Sequence, residues 1–503
     1  MPDTRQTCSR ARSDGKPPSA INTFDCAAVA SRVAALLMAA LLAACAPLSA
    51  PPSNASLTLP AAWSEAVAPS NQAQPVTALA RWWLRFDDPL LSALIDDALS
   101  ANPTVRSAVA ALAQSRAMAA VQSAGLGPNV RASASVQRSV SGKDSASASN
   151  LFRAGFDASW EPDIFGGQHA AVSAANAEVL ASVASLGDVQ ISVAAEVALD
   201  YMQLRGLQTR LEIARANLAA QMESLQLTQW RTQAGLVTSL ELEQARGAVE
   251  QTRAQIPSLQ AAATQTEHGI AVLTGKPPAA LHERLMQPAH NLAAPDELVL
   301  DIPARTLRQR PDLRAAEARV SAAAARVTQA DAARLPNFQL SGSLGLNALT
   351  LGSLANTASL VKSLLASASA TLFDGGAASA QVRAQMAALE QARASFDATL
   401  LAALQDVEDS LVALKGDRER QQSLRMAAEA AQNAALLAGY RYAGGLTDFQ
   451  ILLDTQRNAL NTQDSLASTL AAVNADHVRL YKALGGGWEA QDENATRTSP
   501  TPP

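Results

Sequence analysis

Aromatic side chains make up only 4% of this 503-residue chain and charged ones 17%. So thin a supply of bulky groups argues against a string of ordinary globular enzyme domains, whose cores aromatics dominate. There is no basic excess: 40 Lys and Arg stand against 45 Asp and Glu, a formal charge of −5, which argues against nucleic acid as a partner. Cys8, Cys26 and Cys45 are the three cysteines, so no intrachain disulfide can staple the body beyond them. His169, His268, His282, His290 and His477 are scattered, with no i, i+4 pair of the metal-binding kind. No G-x-S-x-G element, phosphate-binding Walker loop or zinc cysteine pair occurs. Neither an enzyme nor a metal or cofactor site is expected. Proline is missing from Gly167 to Arg231 and again from Gly376 to Arg441, so each stretch can run as one helix of about 65 residues, or about 97 Å.

What is there is alanine, a strong helix former that buries little area and lets helix axes approach closely. Ahead of the body stand Arg5, Arg10, Arg12, Lys16 and Arg32, then an apolar run from Val33 to Ala44, then Cys45-Ala46-Pro47. That is the order of a secretory signal, and the run is too short for a spanning helix. Leu42-Ala43-Ala44-Cys45 resembles the bacterial lipobox, which implies a diacylated and palmitoylated Cys45 at the mature N-terminus; a plain signal peptide with an incidental cysteine is the alternative. Ala46, in place of an Asp, favours sorting to the outer membrane.

The body is written twice. Pro103, Val105 and Arg106 recur 208 residues on as Pro311, Leu313 and Arg314, and Pro128-Asn129-Val130 recurs as Pro336-Asn337-Phe338. Gly166-Gly167 recurs as Gly375-Gly376, Glu196-Val197 as Asp406-Val407, and Arg231, Gly235 and Leu236 as Arg441, Gly445 and Leu446. Five matches in order mark an internal duplication. Each repeat reads as a helix, two strands and two more helices. The first helix is expected over 89–124, ending at Gly125 and Gly127. After it, Val130, Ala132, Ala134 and Val136 alternate with polar residues, and Phe152, Ala154, Phe156, Ala158 and Trp160 do the same. The second repeat alternates through Phe338, Leu340, Gly342, Leu344 and Leu346, then through Leu364, Ala366, Ala368, Ala370 and Leu372. This length fits a transmembrane β-strand and equally a soluble hairpin; the export signal and the flanking long helices favour the membrane.

A helical seam is expected through Val382, Leu389, Phe396 and Ala403, continuing as Leu400, Val407 and Leu414. Opposite it run Leu446, Leu453, Leu460 and Ala467, with Phe449 and Leu470 at the other heptad position and Gln456 and Gln463 on the same track. Pro257 is expected to disturb the return helix of the first repeat. Two strands per repeat make four per chain, too few to close a barrel, and open edges are not viable in hydrocarbon. Two chains would give eight strands, a size that side chains fill. Three give twelve, the smallest hollow solution, with a tube of long helices below.

These residues resemble the TolC-like outer membrane efflux proteins, specifically the NodT-type lipoprotein branch serving RND-type pumps. The match runs through Trp82-Trp83, Asp88-Pro89-Leu90, Trp160-Glu161-Pro162-Asp163-Ile164-Phe165-Gly166, Tyr201-Met202-Gln203-Leu204-Arg205, Arg310-Pro311-Asp312, Phe373-Asp374-Gly375-Gly376 and Ala483-Leu484-Gly485-Gly486-Gly487-Trp488. Leu335 and Phe396 depart from it, where aromatic and Tyr residues are common. The resemblance implies a mainly α fold with a membrane β part: a homotrimer with a 12-stranded barrel, a periplasmic α-helical tunnel closed at rest, and a small equatorial domain. Its partners would be a periplasmic adaptor protein, an inner-membrane RND-type pump and outer-membrane lipid. By similarity Tyr442, Gln450 and Asp454 would line or hold the gate, and three copies of a carboxylate around an axis repel one another and attract cations. Pairing with Arg457 is the other reading of Asp454. Arg231, Gly235, Leu236, Arg441, Gly445 and Leu446 would dock the adaptor; otherwise they are plain helix corners.

The chain then divides into a signal peptide (1–44), a lipidated linker (45–88), a first repeat (89–275) and an equatorial linker (276–303), followed by a second repeat (304–484) and a tail (485–503). Strands fall near 129–138, 151–161, 337–347 and 363–373, and turns near 231–237 and 441–447. The function implied is a passive exit duct for drugs or other small toxic solutes. Type I protein secretion and metal-ion efflux stay open, and a periplasmic adaptor would need a single helical hairpin rather than two.

Overall fold

The computed structural model describes residue 63, residues 79–141, 147–287, residue 307 and residues 309–488. Cys45 and the signal sequence lie outside the described residues, as do most of both linkers and of the tail.

Asp88 opens the first helix, α1 (Pro89–Ala101), by accepting from the amides of Leu90 at 2.8 Å and Leu91 at 3.1 Å. Pro89 suits the first helical position, where no donor is needed. The single helix expected over 89–124 is two. Pro103 lacks an amide and forces the residue before it out of helical geometry, so Asn102 is extended at ψ 129°. Asn102 then caps α2 (Pro103–Ala124) through Thr104 and Val105, while its Nδ2 donates to the Leu273 carbonyl at 2.8 Å.

Strands β1 (Asn129–Ser141), β2 (Ser147–Trp160), β3 (Asn337–Ala348) and β4 (Leu360–Ser369) form one antiparallel sheet in the order β1-β2-β3-β4. Within the sheet, the β2–β3 pairing joins the two repeats. The last strand is shifted from the expected 363–373. Ser369 is paired with Asn337, the first residue of β3, so no ladder exists beyond it. Leu372 and Phe373 therefore leave the sheet and stand 97% and 90% exposed. Register puts Ala132, Phe156 and Leu344 on one face and Arg131, Asp157, Ser343 and Ser363 on the other, so the alternation read from sequence separates an apolar from a polar side.

Two 67-residue helices dominate: α3 (Gly167–Gln233) and α7 (Ala377–Ala443). Each follows a left-handed glycine, Gly166 at φ 77° and Gly376 at φ 89°, which a side chain would strain. Their return helices, α4 (Ser239–Leu273) and α8 (Phe449–Ala483), have 35 residues each. The returns are thus half-length rather than matching the long helices. The short helix α5 (His282–Leu285) follows α4. The remaining length of α3 and α7 is covered by α2 and by α6 (Pro311–Ala332), each of 22 residues. Helix α4 continues through Pro257.

Most of the expected seam is buried, including Val382, Leu389, Leu400, Val407, Leu414, Leu453 and Leu460. Leu446 and Leu470 are exceptions, the first because it lies in a turn outside the helix. The polar track reaches α3: Gln456 donates to Ser224 at 2.9 Å, and Asn217 donates to Gln463 at 3.1 Å.

Bulky side chains gather half-way along α3, where Trp82, Trp83, Phe86, Leu94, Tyr201, Met202, Leu204 and Tyr481 form one core. Trp82 and Tyr481 stack with centroids 5.5 Å apart. Within and beside it, glycine sets the spacing. A Cβ on Gly206 would stand 2.7 Å from that of Ala471, and one on Gly187 would stand 2.6 Å from Trp488 Nε1. Gly187→Ala is therefore expected to displace the Trp488 ring from α3 and cost about 1–3 kcal/mol. Thermal unfolding with tryptophan fluorescence reads this, and an unchanged emission spectrum and midpoint would reject the contact.

Candidate channel gate

The two helix corners are built alike. Gly235 at φ 71° and Gly445 at φ 72° let the chain reverse, and the amides of Leu236 and Leu446 bond back to the carbonyls of Arg231 and Arg441, both at 2.8 Å. These are Schellman-type caps, which need a left-handed residue that glycine supplies without strain. They leave Leu236 74% and Leu446 73% exposed.

Side chains break the symmetry. Tyr442 is buried, with its ring against Phe449 at 5.6 Å between centroids and its hydroxyl 3.0 Å from Thr228 Oγ1. The Arg231 guanidinium lies over the Tyr442 ring at 4.5 Å and donates to the Ala443 carbonyl at 3.0 Å. Tyr442, Arg231 and Thr228 thus tie the end of α3 to the end of α7. Gln450 and Asp454 lie elsewhere, together on an exposed face of α8, where Gln450 Nε2 donates to both carboxylate oxygens at 3.0 and 3.2 Å. Asp454 takes this bond from the preceding turn, and no ion pair joins it to Arg457 among the described residues. Arg441 is exposed. Sequence reading brought Tyr442, Gln450 and Asp454 into one group; the structure separates Tyr442 from the others and adds Thr228. A lone threonine in a long helix carries no pattern that would have picked it out.

Higher up, charge is buried and partnered. Asp88 accepts from the Tyr201 hydroxyl at 2.6 Å, and Arg205 donates to that same hydroxyl at 2.9 Å. Burial, first, and the Asp88 bond raise the Tyr201 pKa well above its ordinary value. Arg310 donates to Asp312, Asp406 and the Ala483 carbonyl, pinning the start of α6 to α7 and α8. Among the described residues no group of three or more His, Cys, Asp or Glu side chains is arranged to hold a metal ion.

Burial pushes Asp200 up to about 6, with Glu196 adding to the effect. His477 is fully buried and pushed down to about 4 by burial and by Arg418. Arg418 donates to its Nε2 at 3.2 Å, so the ring is neutral with its proton on Nδ1. The unfolded state protonates this histidine near its ordinary 6.5, the folded state only near 4. The stability that depends on a neutral His477 is complete above pH 6.5 and lost as pH falls toward 4, by up to about 3 kcal/mol. Asp200 works in the opposite sense between 3.8 and about 6, so the clean comparison is with His477→Gln. That variant is expected to flatten the fall in unfolding midpoint between pH 6.5 and 4. An unchanged slope would show that His477 does not titrate with folding.

A family model described as outer membrane efflux protein matches residues 94–276 and, separately, 302–486. This chain belongs to the outer membrane efflux protein family. It is similar to the pyoverdine export outer membrane protein OpmQ of Pseudomonas putida, 33% identical over 454 residues spanning 87% of this chain and 94% of that one. Nodulation protein T of Rhizobium leguminosarum bv. viciae is 29% identical, with 93% and 96% covered. Among solved structures, the outer-membrane channel OprN superposes with a TM-score of 0.82 at 33% identity, covering 88% of this chain and 99% of that one. This outer membrane efflux protein therefore resides in the outer membrane, with the sheet as its membrane part and the long helices as its tunnel part, and it forms the exit channel of an efflux system.

Proposed function

We propose that three copies of this chain close one passive duct, which a periplasmic adaptor opens and an inner-membrane RND-type pump drives. One observation carries the reading: a four-stranded meander whose outer edges, β1 and β4, are unpaired among the described residues. Unpaired strand edges cost several kcal/mol per group in hydrocarbon, so β4 of each chain must meet β1 of another. Twelve strands then surround a lumen lined by the polar face.

In this reading Asp454 and Gln450 narrow the far end of the tunnel, while Leu236 and Leu446, with Gly235, Gly445 and Arg441, offer apolar corners to the adaptor. The duct catalyses nothing and chooses nothing: relatives about 30% identical bear names for pyoverdine export, antibiotic efflux and toluene efflux, cargoes with little chemistry in common. Selection belongs upstream, and the cargo here is a small solute expelled by the pump. Cys45 carries the lipid anchor, expected as loss of palmitate labelling in Cys45→Ser.

The test is native mass and planar-bilayer conductance of the purified mature chain. Three chains and small closed-state currents that rise in Asp454→Ala are expected. A monomer or dimer would overturn the shared barrel, and an unchanged current in Asp454→Ala would remove that residue from the constriction.

A further inference from the structure

We propose that the lipid-facing side of the barrel carries a cationic site at each seam between chains, where Lys362 of one chain and Arg138 of the partner subunit hold a phosphate of the phosphorylated glycolipid in the outer leaflet. The proposal rests on the trimeric barrel above.

Register assigns every strand residue to a face. The apolar face bears Val130, Ala132, Ala134 and Val136 on β1, Phe152 to Trp160 at alternate positions on β2, Phe338 to Leu346 likewise on β3, and Leu360, Leu364, Ala366 and Ala368 on β4. Among the described strand residues, two charged ones share this side, Arg138 and Lys362, and no Asp or Glu does. Arg131, Arg153 and Asp157 belong to the opposite, lumen side. Arg138 and Lys362 are both exposed, and neither has a hydrogen bond or ion pair among the described residues.

Their placement is not scattered. Both lie toward the extracellular end: Lys362 two residues into β4 from Leu360, Arg138 three residues before β1 ends at Ser141. They also occupy β1 and β4, the two edges that meet when chains associate. The rungs of the sheet climb across the chain. Asn129, at the lower end of β1, shares a rung with Ser159, Ser341 and Leu365, and Leu365 already stands four residues above the end of β4 at Ser369. Lys362 is seven residues above that end, and Arg138 nine above Asn129. One further step of the climb, across the seam, brings the Lys362 rung to the height of Arg138 on the partner subunit.

Closure of the barrel thus sets two like charges side by side on a surface that faces lipid. Neighbouring cations without a carboxylate repel, and at this depth they can be neutralised only by an anion from the membrane itself. Both side chains have long aliphatic stems that reach from the apolar band to the headgroup layer. A headgroup phosphate offers oxygen acceptors to guanidinium and ammonium together. The bound lipid would bridge two chains and staple the seam.

The experiment is native mass spectrometry of the full mature trimer titrated with a diphosphorylated lipid A. The wild type is expected to bind up to three, and Arg138→Gln with Lys362→Gln to weaken binding about 30-fold, roughly fivefold for each cation. Exchanging the two cationic residues while keeping both charges, Arg138→Lys with Lys362→Arg, is expected to retain binding. Unchanged affinity in the double Gln variant, equal binding of the dephosphorylated glycolipid, or displacement by inorganic phosphate alone at the same concentration would overturn the site. A wild type that is not trimeric in the same spectra overturns both readings; a trimer whose lipid binding ignores both cations overturns the seam site alone.

Discussion

Gly155→Val is expected to abolish assembly of the proposed trimer. Gly155 faces Gly345 across the β2–β3 pairing, and a Cβ added there would lie 2.6 Å from Gly345 Cα and 2.8 Å from the Leu344 carbonyl oxygen. Backbone, not a movable side chain, stands in the way. Overpacking a core costs about 1–3 kcal/mol when side chains can yield, and more where the neighbour is a paired strand. Here the strain falls on the only pairing that links the two repeats within the sheet, so the strands would separate and leave four edges in place of two. The measurement is the fraction of chains that migrate as oligomers on unheated gels after membrane extraction. Ser133→Val, on the neighbouring strand and the same face, is the control for side-chain bulk and should assemble. Normal assembly of Gly155→Val would show that the strands can move apart at that rung.

Tyr442→Ala should produce the second large effect, a leaky tunnel end. Truncating a buried aromatic costs about 3–5 kcal/mol, and here it also removes the partner of the Thr228 hydroxyl and the ring beneath Arg231. Because that cluster fastens α3 to α7, its loss frees the α7–α8 hairpin near its turn. Closed-state conductance and amide exchange around 440–450 should both rise. Tyr442→Phe, which loses only the hydroxyl bond of about 1 kcal/mol, should change either little. Arg231→Ala should act in the same direction as Tyr442→Ala but more weakly, and a double-mutant cycle should find the two coupled. Equal conductance in the Ala, Phe and wild-type proteins would reject the fastening role.

The duplication made much of this architecture legible. Paired glycines and prolines at offsets of 208 to 210 residues located both strand hairpins and both helix corners, because each residue type marks a backbone requirement that survives in any context. The proline-free stretches were legible for the same reason, and they end within two residues of the observed helices. What stayed hidden depended on partners far along the chain. The end of β4 is set by where β3 begins, not by its own alternation through Ala370 and Leu372. Pro103 was visible, yet the break it causes needed Asn102 to serve as cap to α2 and donor to Leu273 together. Tyr442 reads like a lumen residue in a linear motif, and only the packing of Thr228 and Arg231 against it shows that it faces inward between helices. Arg231, grouped with the docking corner by the family resemblance, is engaged by its own chain.

The crowding of large side chains at one level has a mechanical meaning. The Trp82–Tyr481 girdle packs α1, α3, α4 and α8 together at one level, and smaller clusters, around Tyr442 and Phe449 at the corner and around Val320 and Leu389 between α6 and α7, hold the helices on either side. Helices held at several separate levels can yield at one while the others stay packed, so loss of the Tyr442 cluster is expected to loosen the corners and leave the girdle in place.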